Sequence, residues 1–424
     1  MPRRHPQTHS KLILDWAARR ADVVSIKTHP PDPANLKFVW TCSAMMRTPQ
    51  SRDGHAHKVI GFGAGISSVE AIAKAISEAL ERYAASCCSE NELRYSTIAD
   101  QGDDYLDPRH LCLYSTSQYA RADFPYTRFR ARNRIAWTRG RWLDTGTQVW
   151  LPAFMTYFGA DVSIDQSFAQ ITTSGLATGA SLEDATIRAV SELIERDAFM
   201  ITWLAQKPAT RLVADSTLDS HVQRLVAAFA ERGVEPRFYL LDAGLGIPVV
   251  LCLVRGDGRN WPGATVGLGA DANPAIAMRK AMLEQALMGP ALRKEMLTGR
   301  RVPARARDIK TTLDHALYYV PEHRARAFNF LDEQGDTVRL SEVPRSKNIS
   351  LRLYAKLLQG VGVRAAIKDL TPRDIAAETP FRVVRALATQ LQPIHFGHGL
   401  TREGNSRLRN FAKDGLNVRP HPLA

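Results

Sequence analysis

The chain repeats one segment of sequence, and this repeat constrains the fold more than any other feature. From Gly61 the sequence reads GFGAGISSVEAIAKAISEALER, and 114 residues later, from Gly175, it reads GLATGASLEDATIRAVSELIER. A weaker third copy starts at Gly267 and reads GLGADANPAIAMRKAMLEQALM. Such repeats indicate copies of one supersecondary unit that pack against one another.

Each copy predicts a Gly-rich turn followed by a helix. A Ser or an Asn-Pro pair stands where the helix should start, and alanines follow at the spacing of a closely packed helix face. Charged residues recur at spacings of four, four and three, which places them on one face of each helix. These residues are Glu70, Lys74, Glu78 and Glu81 in the first copy and Asp184, Arg188, Glu192 and Glu195 in the second.

The third copy keeps only part of this pattern. Glu284 stands at the position of Glu78, but Leu287 replaces the second glutamate. Met288 stands where the other copies have Arg82 and Arg196. The sequence therefore predicts three related units, of which two carry a full pair of acids.

Stretches rich in β-branched and aromatic residues lie before and between the repeats. They predict strands at residues 38–42, 137–142, 149–152, 238–241 and 249–254. Strands that alternate with helical repeats favour an α/β (α+β) fold, in which pseudo-symmetric repeated helix units pack on β-sheets.

The duplicated acids predict a metal site. One Glu-x-x-Glu pair is typical of a solvated helix face, but two matched copies indicate helices that converge on one centre. Clustered carboxylates cannot all stay ionised without cations, and ligands that are all oxygens suit Mg²⁺, which commonly binds carboxylates together with substrate phosphates. We therefore predict that the metal is held by Glu78, Glu81, Glu192 and Glu195.

The arginine that ends each of the first two copies has two open roles. Arg196, and also Arg82, could contact phosphate oxygens or could form a salt bridge with a neighbouring acid. The Gly-rich turns at 61–65 and 175–179 would let backbone N–H groups approach a nucleotide. The sequence has no Walker A motif, so the expected ATP site is of another type.

Composition limits the remaining classes. The net charge of +13 favours acidic partners, although basic residues are spread along the chain and the densest cluster, at 293–310, is also typical of a solvated surface. The five cysteines show no zinc-site spacing and indicate a reducing compartment. We see no signal peptide and no apolar run that could span a membrane, so we expect a cytoplasmic protein without a membrane partner.

The paired motifs resemble those of the YcaO family. The resemblance rests on both Glu-x-x-Glu-Arg units, on TSGLATG, on the third element, and on RAAIKDLTPRDI, PIHFGHG and RPHPLA, and it covers roughly residues 40–424. It implies an enzyme that uses ATP and Mg²⁺ to phosphorylate the oxygen of a backbone amide. It also implies cofactor-binding roles for Ser67, Glu70, Ser174, Asp184, Arg196 and Glu284.

The C-terminal tail points to a subclass. Azoline-forming cyclodehydratases of this family (the D-protein subclass) end in Pro-x-Pro-x-Pro, and this chain ends Pro420-His421-Pro422-Leu423-Ala424. The resemblance implies that the tail reaches the active site, where Pro420, Pro422 and Ala424 would serve catalysis and the terminal carboxylate would act as a base or a positioning group. The alternative is an unstructured terminus.

The predicted organisation is an N-terminal segment (1–40), an ATP-binding catalytic domain (41–411) and the tail (412–424). The leading hypothesis is a cyclodehydratase that converts Cys, Ser or Thr of a ribosomally made precursor peptide into azolines. Its implied partners are that peptide, a leader-binding protein, a flavin dehydrogenase and a second copy of the chain. The alternatives are backbone thioamide or amidine formation and a nucleotide- or RNA-binding accessory protein, although we expect no nucleic-acid partner.

Overall fold

The computed structural model of the protein describes residues 6–32, 36–50, 56–101, 104–111, 113–158, 167–346 and 349–424. In these residues the strands are β1 (Val23–His29), β2 (Trp40–Gln50), β3 (Ala56–Gly65), β4 (Leu93–Ser96), β5 (Ile135–Trp142), β6 (Gln148–Pro152), β7 (Leu176–Gly179), β8 (Thr210–Val213), β9 (Pro236–Leu241), β10 (Val249–Arg255), β11 (Ala264–Ala270), β12 (Thr337–Arg339), β13 (Ala365–Asp369) and β14 (Arg382–Ala388). The α-helices are α1 (Pro6–Ala17), α2 (Ser68–Ser86), α3 (Thr116–Tyr119), α4 (Ala153–Thr156), α5 (Leu182–Leu204), α6 (Ser220–Ala230), α7 (Pro274–Leu297), α8 (Thr312–Leu317), α9 (Leu351–Gly360), α10 (Arg373–Glu378) and α11 (Ser406–Phe411).

The strands of the described residues form three sheets. Their orders are β1-β2-β3, β11-β10-β9-β8-β12 and β4-β5-β13-β14-β7, with β6 paired to β5. Helices cover these sheets, which confirms the predicted α/β (α+β) class. The predicted strands correspond to β2, β5, β6, β9 and β10. The first of them begins at Trp40 rather than at residue 38, because Phe38 adopts a φ of 67°, outside the strand region.

The sequence repeat corresponds to three strand–helix units, β3–α2, β7–α5 and β11–α7. Each unit contributes the edge strand of a different sheet. Each helix packs on its own strand and also contacts the strand of the next unit: α2 contacts β7, α5 contacts β11, and α7 contacts β3. The three units therefore close into a ring, with their helices around a common centre.

The predicted Gly-rich turn at 61–65 is wrong, because these glycines lie in β3. In the second copy Gly175 lies in the turn before β7, and Gly179 is the last residue of that strand. Their role is close contact between strand and helix. A Cβ on Gly63 would lie 2.2 Å from the Ala71 oxygen, and one on Gly269 would lie 2.2 Å from the Ala277 oxygen. Of the glycines in the two predicted turns, only Gly175 has a positive φ, at 81°. Glycine is thus required here mainly for space.

The facing alanines complete this contact. Ala71, Ala75, Ala185 and Ala189 are fully buried, as the repeat predicts. Because the strand and the helix both have small residues where they face each other, their backbones approach closely. The polar residues of each helix are thereby held next to the backbone amides of a strand, which is the arrangement that the functional site uses.

The N-terminal residues join the first unit. Strand β1 pairs antiparallel with β2, and Ile13 and Trp16 of α1 share a buried cluster with residues of α2. The predicted domain boundaries at 40/41 and 411/412 stay predictions. Within the described residues, no helix has the length and apolar character needed to cross a membrane.

We predict that Gly63→Ala destabilises the protein by about 1–3 kcal/mol, because the new methyl group has to force β3 away from α2. Urea denaturation followed by circular dichroism measures this loss of unfolding free energy. Gly360→Ala is the control, since a Cβ at Gly360 meets only open space. Equal stabilities of the two variants would contradict the close-packing role.

Candidate functional site

The first glutamate of each unit accepts a hydrogen bond from a backbone N–H in the strand of its own unit or directly before that strand. Phe62 N–H donates to Glu78 at 2.6 Å, Leu268 N–H donates to Glu284 at 2.6 Å, and Gly175 N–H donates to Glu192 at 3.1 Å. Edge strands have free backbone donors. Phe62 and Leu268 occupy the same position of the repeat, whereas Gly175 stands one position earlier, in the turn before β7. Glu284 is therefore the structural counterpart of Glu78.

The second glutamate of a pair reaches into the next unit. Glu81 accepts a hydrogen bond from Thr178 N–H of the second unit at 2.6 Å. Glu195 accepts one from the backbone N–H of Ala270 in the third unit. Thr178 and Ala270 occupy the same position of the repeat. These two bonds join neighbouring units through carboxylates that face the centre of the ring.

The third junction is apolar. Leu287 stands where the third unit would have its second glutamate, and it packs in one hydrophobic cluster with Ala64 and Ile66 of the first unit. Ala64 is the repeat counterpart of Thr178. The substitution that the sequence shows at this position thus closes the ring with a hydrophobic contact in place of a carboxylate–amide bond.

Arg196 lies among the acids. Its Nε is 3.8 Å from Glu192, and the charges of Glu78, Glu195 and Glu284 also act on it. Burial lowers the pKa of Arg196, but the surrounding carboxylates outweigh burial and raise it overall. Arg82 pairs with Glu78 at 2.6 Å. Of the two roles that the sequence left open, the structure shows both arginines in the salt-bridge role.

The carboxylates of the cluster resist ionisation. Burial raises the pKa of Glu81 to about 8, and it raises the pKa of Glu192 and of Glu284 to about 7. Burial also raises the pKa of Glu195. At neutral pH such a cluster gains from any added positive charge.

The donor chemistry of the cluster fits Mg²⁺, since it offers carboxylate oxygens only. Within the described residues, no three acidic, histidine or cysteine side chains converge closely enough to hold a metal ion. The carboxylates instead contact Arg196 and backbone amides of the strands. Metal binding by Glu78, Glu81, Glu192 and Glu195 stays a prediction, and it requires these side chains to rotate toward one another.

The helix starts carry a second set of predicted residues. Ser67 Oγ accepts from Glu70 N–H at 3.2 Å, and Ser181 Oγ accepts from Asp184 N–H at the same distance. The two acids in turn accept from Ile66 N–H at 3.1 Å and Ala180 N–H at 3.0 Å. Both helices are thus capped in the same way, and the cofactor-binding roles of Ser67, Glu70 and Asp184 stay predictions.

Arg279 is a site residue that the sequence analysis missed. Its guanidinium binds Glu70 at 2.7 Å, and Lys74 binds the same carboxylate at 2.9 Å. Burial raises the pKa of Glu70, but these two cations outweigh it and lower the pKa overall. Arg279 has no counterpart in the first two copies, where Ala73 and Ile187 occupy its position, so the repeat gave no signal for it.

The family model described as YcaO cyclodehydratase, binding ATP and Mg²⁺, matches residues 62–392. The chain belongs to the YcaO family. ATP and Mg²⁺ are therefore its cofactors, and the predicted family and cofactors are confirmed.

Relatives and solved structures agree with this assignment. An uncharacterised protein of Methanothermobacter thermautotrophicus is 27% identical over 242 residues, or 56% of this chain and 58% of its own length. A heterocyclase solved in complex with substrate and cofactor is similar over 98% of this chain and 57% of its own, with a TM-score of 0.77 and 21% identity. This chain thus spans little more than half the length of either protein.

Two further structures share the fold. YcaO from Methanopyrus kandleri, bound with AMPPCP and Mg²⁺, is similar over 92% of both chains, with a TM-score of 0.64 and 21% identity. The Escherichia coli microcin synthetase McbBCD complex contains a chain similar over 87% of both, with a TM-score of 0.58 and 16% identity. The YcaO fold of this chain is thereby shown.

The tail of this YcaO protein is ordered against α5. Trp203 Nε1 donates to the Arg419 oxygen at 3.0 Å, and the Tyr319 hydroxyl donates to the Pro420 oxygen at 2.5 Å. His421, Pro422 and Leu423 are buried, while Ala424 is exposed. The charge of Arg196 acts on His421, so the tail runs near the acid cluster. Catalytic roles for Pro420, Pro422 and Ala424 stay predictions.

Three buried histidines hold the tail. His315 Nδ1 donates to the His421 oxygen at 2.9 Å, while His315 Nε2 accepts from Gly397 N–H at 2.9 Å. His421 Nε2 donates to the His395 oxygen, and the rings of His315 and His421 stack at 4.1 Å. These partners fix His315 as a neutral tautomer and place a proton on Nε2 of His421. His395 and His315 went unnoticed as tail contacts, since only the fold brings them to residue 421.

This anchor predicts a pH dependence. Burial lowers the pKa of His315 to about 4, that of His395 to about 3 and that of His421 well below its usual value. The unfolded chain, with histidine pKa values near 6.5, therefore binds protons first as the pH falls. Stability from this cluster is present above about pH 6.5 and is lost as the pH falls toward 4.

We expect His421→Gln to lose unfolding free energy less steeply than the wild type between pH 6.5 and 4, by up to about 1.4 kcal/mol per pH unit for one proton. The glutamine amide can still donate to the His395 oxygen but cannot take up a proton. Urea denaturation at several pH values measures the slopes, with the exposed His323→Gln as control. Identical slopes for wild type and His421→Gln would refute the buried-histidine anchor.

Proposed function

We propose that this YcaO protein is an ATP-dependent cyclodehydratase. It phosphorylates a backbone amide oxygen of a ribosomally synthesised precursor peptide and converts Cys, Ser or Thr into thiazoline or oxazoline. The observation that carries this proposal is the ring of three units, which gathers paired glutamates and Arg196 at one centre next to an anchored C-terminal tail. The fold shared with the heterocyclase and with the microcin synthetase complex supports it.

The chemistry divides into three steps. The substrate side chain loses its S–H or O–H proton to a base and attacks the preceding carbonyl carbon, so that its S–C or O–C bond forms and the carbonyl oxygen gains the electron pair. That oxygen then attacks the γ-phosphorus of ATP, and ADP leaves. Cleavage of the C–O bond expels phosphate with the electron pair, the nitrogen loses its proton, and the C=N bond of the azoline forms.

The protein's task is positioning and charge neutralisation. Mg²⁺, held by Glu78, Glu81, Glu192 and Glu195, would neutralise charge on the triphosphate. Arg196 would exchange its contact with Glu192 for a contact with a phosphate oxygen, since a guanidinium matches phosphate geometry. The exposed Ala424 carboxylate would orient the substrate or accept its proton.

The partners follow from the substrate. The proposal includes the precursor peptide, a leader-binding protein, a flavin dehydrogenase that would oxidise azolines, and a second copy of the chain. The microcin synthetase is itself a complex, and one of its structures holds pro-MccB17. Thioamide or amidine formation would use the same ATP site with a different nucleophile, and the proposed role of the tail argues against thioamides.

The test is mass spectrometry of a Cys/Ser/Thr-containing precursor peptide incubated with this protein, its leader-binding partner and Mg-ATP. We expect the peptide to lose one water, about 18 Da, for each ring formed, and we expect ATP to be consumed. Glu78→Gln/Glu192→Gln should abolish this mass change, because the metal charge is no longer held. The exposed pair Glu235→Gln/Glu342→Gln, with equal charge change, should leave it intact.

Two outcomes would contradict the proposal. Consumption of ATP with sulfide or ammonia incorporated, and no loss of water, would favour thioamide or amidine formation. No ATP turnover, together with RNA retention that survives loss of the glutamates, would favour the accessory-protein alternative. A chain extended by one residue after Ala424 tests the tail separately, since full activity of that variant would exclude a role for the terminal carboxylate.

A further inference from the structure

A small cavity lies beside the acid cluster. It has a volume of about 50 Å³ and is bounded by the segment before β7, the middle of α5, the end of β14 and the segment that follows β14. Ser174 and Arg196 form the side that faces the cluster. The next residue, Gly175, donates its backbone N–H to Glu192, which is a predicted metal ligand. The cavity and this ligand are therefore in contact with neighbouring residues of the chain.

Arg385 brings a buried positive charge to this cavity. It sits in β14 among apolar neighbours, and its Nε and Nη1 donate to the oxygens of Met155 and Thr172 at 3.1 and 3.0 Å. Two carbonyls satisfy only part of a guanidinium with five N–H groups. A carbonyl also provides no countercharge, so the positive charge of Arg385 remains unneutralised by its direct partners.

Arg402 brings a second buried charge. Its Nη2 donates to the Gln170 oxygen, and its side chain lines the same cavity. Only 3% of Arg402 is exposed, and among the described residues its Nε has no hydrogen-bond partner. A buried donor without a partner is costly unless water or an ion satisfies it. The cavity is the place from which such a partner can reach Arg402.

The charges of the cavity are unbalanced. Arg196, Arg385 and Arg402 all line it. Burial lowers the pKa of Arg385 to about 10, and the charge of Arg402 acts in the same direction. Glu192 is the acid whose charge acts on Arg385, and it is shared with Arg196. The other walls include the apolar side chains of Met155, Leu193 and Leu387. Such a site suits a small anion and excludes a cation.

We propose that this cavity is a phosphate-binding site, which accepts the inorganic phosphate released from the acid cluster. The source of that phosphate rests on the proposed function, in which C–O cleavage expels phosphate beside Arg196. The cavity has room for about three to four water molecules, which is enough for one tetrahedral oxyanion. Three arginines can match the several oxygens of phosphate better than the two oxygens of a carboxylate.

The experiment titrates inorganic phosphate into the full chain without Mg²⁺, nucleotide or peptide, by calorimetry at constant ionic strength. We expect binding in the wild type, with acetate at least tenfold weaker. Arg402→Gln should weaken phosphate binding at least tenfold. Arg402→Lys, which keeps the charge and can still donate to the Gln170 oxygen, should weaken it several-fold and serves if Arg402→Gln fails to fold. Arg300→Gln, exposed and of equal charge change, should bind as the wild type does.

The double variant Glu78→Gln/Glu192→Gln distinguishes phosphate binding in the cavity from binding at the metal site. It should keep or strengthen phosphate binding because it removes negative charge near the cavity. No phosphate binding by the wild type, equal or tighter binding of acetate, or unchanged binding by both Arg402 variants would overturn the proposal. Because the titration uses neither ATP nor peptide, it can succeed where the cyclodehydration assay fails. Conversely, water loss from the peptide without phosphate binding would overturn only the cavity assignment.

Discussion

The carboxylate–amide bonds between units are the interactions on which the rest of this structure depends. Glu81 accepts from Thr178 N–H, and Glu195 accepts from Ala270 N–H, at equivalent places of the repeat. Each bond uses a backbone donor of an edge strand that its own sheet leaves free. The same carboxylates therefore join the units and lie at the centre of the ring. The site forms only when the three units pack together.

This coupling explains why the site is built from costly groups. Burial disfavours the charged forms of Glu81, Glu192 and Glu284 and raises the pKa of each carboxyl group. Arg196 offsets part of this charge and lies where it can turn toward an arriving phosphate. Strain of this kind is typical of sites whose affinity for a cation-bound ligand comes from relief of electrostatic cost. The cavity beside Arg196 has an excess of positive charge, whereas the acid cluster has an excess of carboxylates. Arg196 borders both.

Much of this could be predicted from the sequence, because a repeat preserves both spacing and chemistry. Residues 61–82, 175–196 and 267–288 predicted the helices, the alignment of the charged residues on one helix face, and the altered third copy with Leu287. The glycines at 61–65 were wrongly predicted to form a turn, since a strand packed tightly on a helix and a nucleotide-binding loop both select glycine. What distinguishes them is the facing alanine backbone, which only the fold supplies.

Residues outside the repeat were harder to predict. Arg385 interrupts the apolar strand β14, and a lone arginine in such a strand is a usable signal. Arg402, His315 and His395 lie in segments without periodicity, and they reach the site through contacts distant in sequence. The tail was predicted from resemblance alone, and the structure adds the histidines and aromatic residues that hold it in place.

The central claim is that closure of the three units builds the Mg²⁺-dependent nucleotide site. The most direct measurement is calorimetric binding of a non-hydrolysable ATP analogue with and without Mg²⁺, for the wild type and for Glu195→Gln. This variant can keep the bond from Ala270 N–H through its amide oxygen but lacks the charge. The account predicts Mg²⁺-dependent binding in the wild type and at least about tenfold weaker binding in Glu195→Gln, with Glu295→Gln unchanged. Equal, Mg²⁺-dependent affinity of wild type and Glu195→Gln would contradict it.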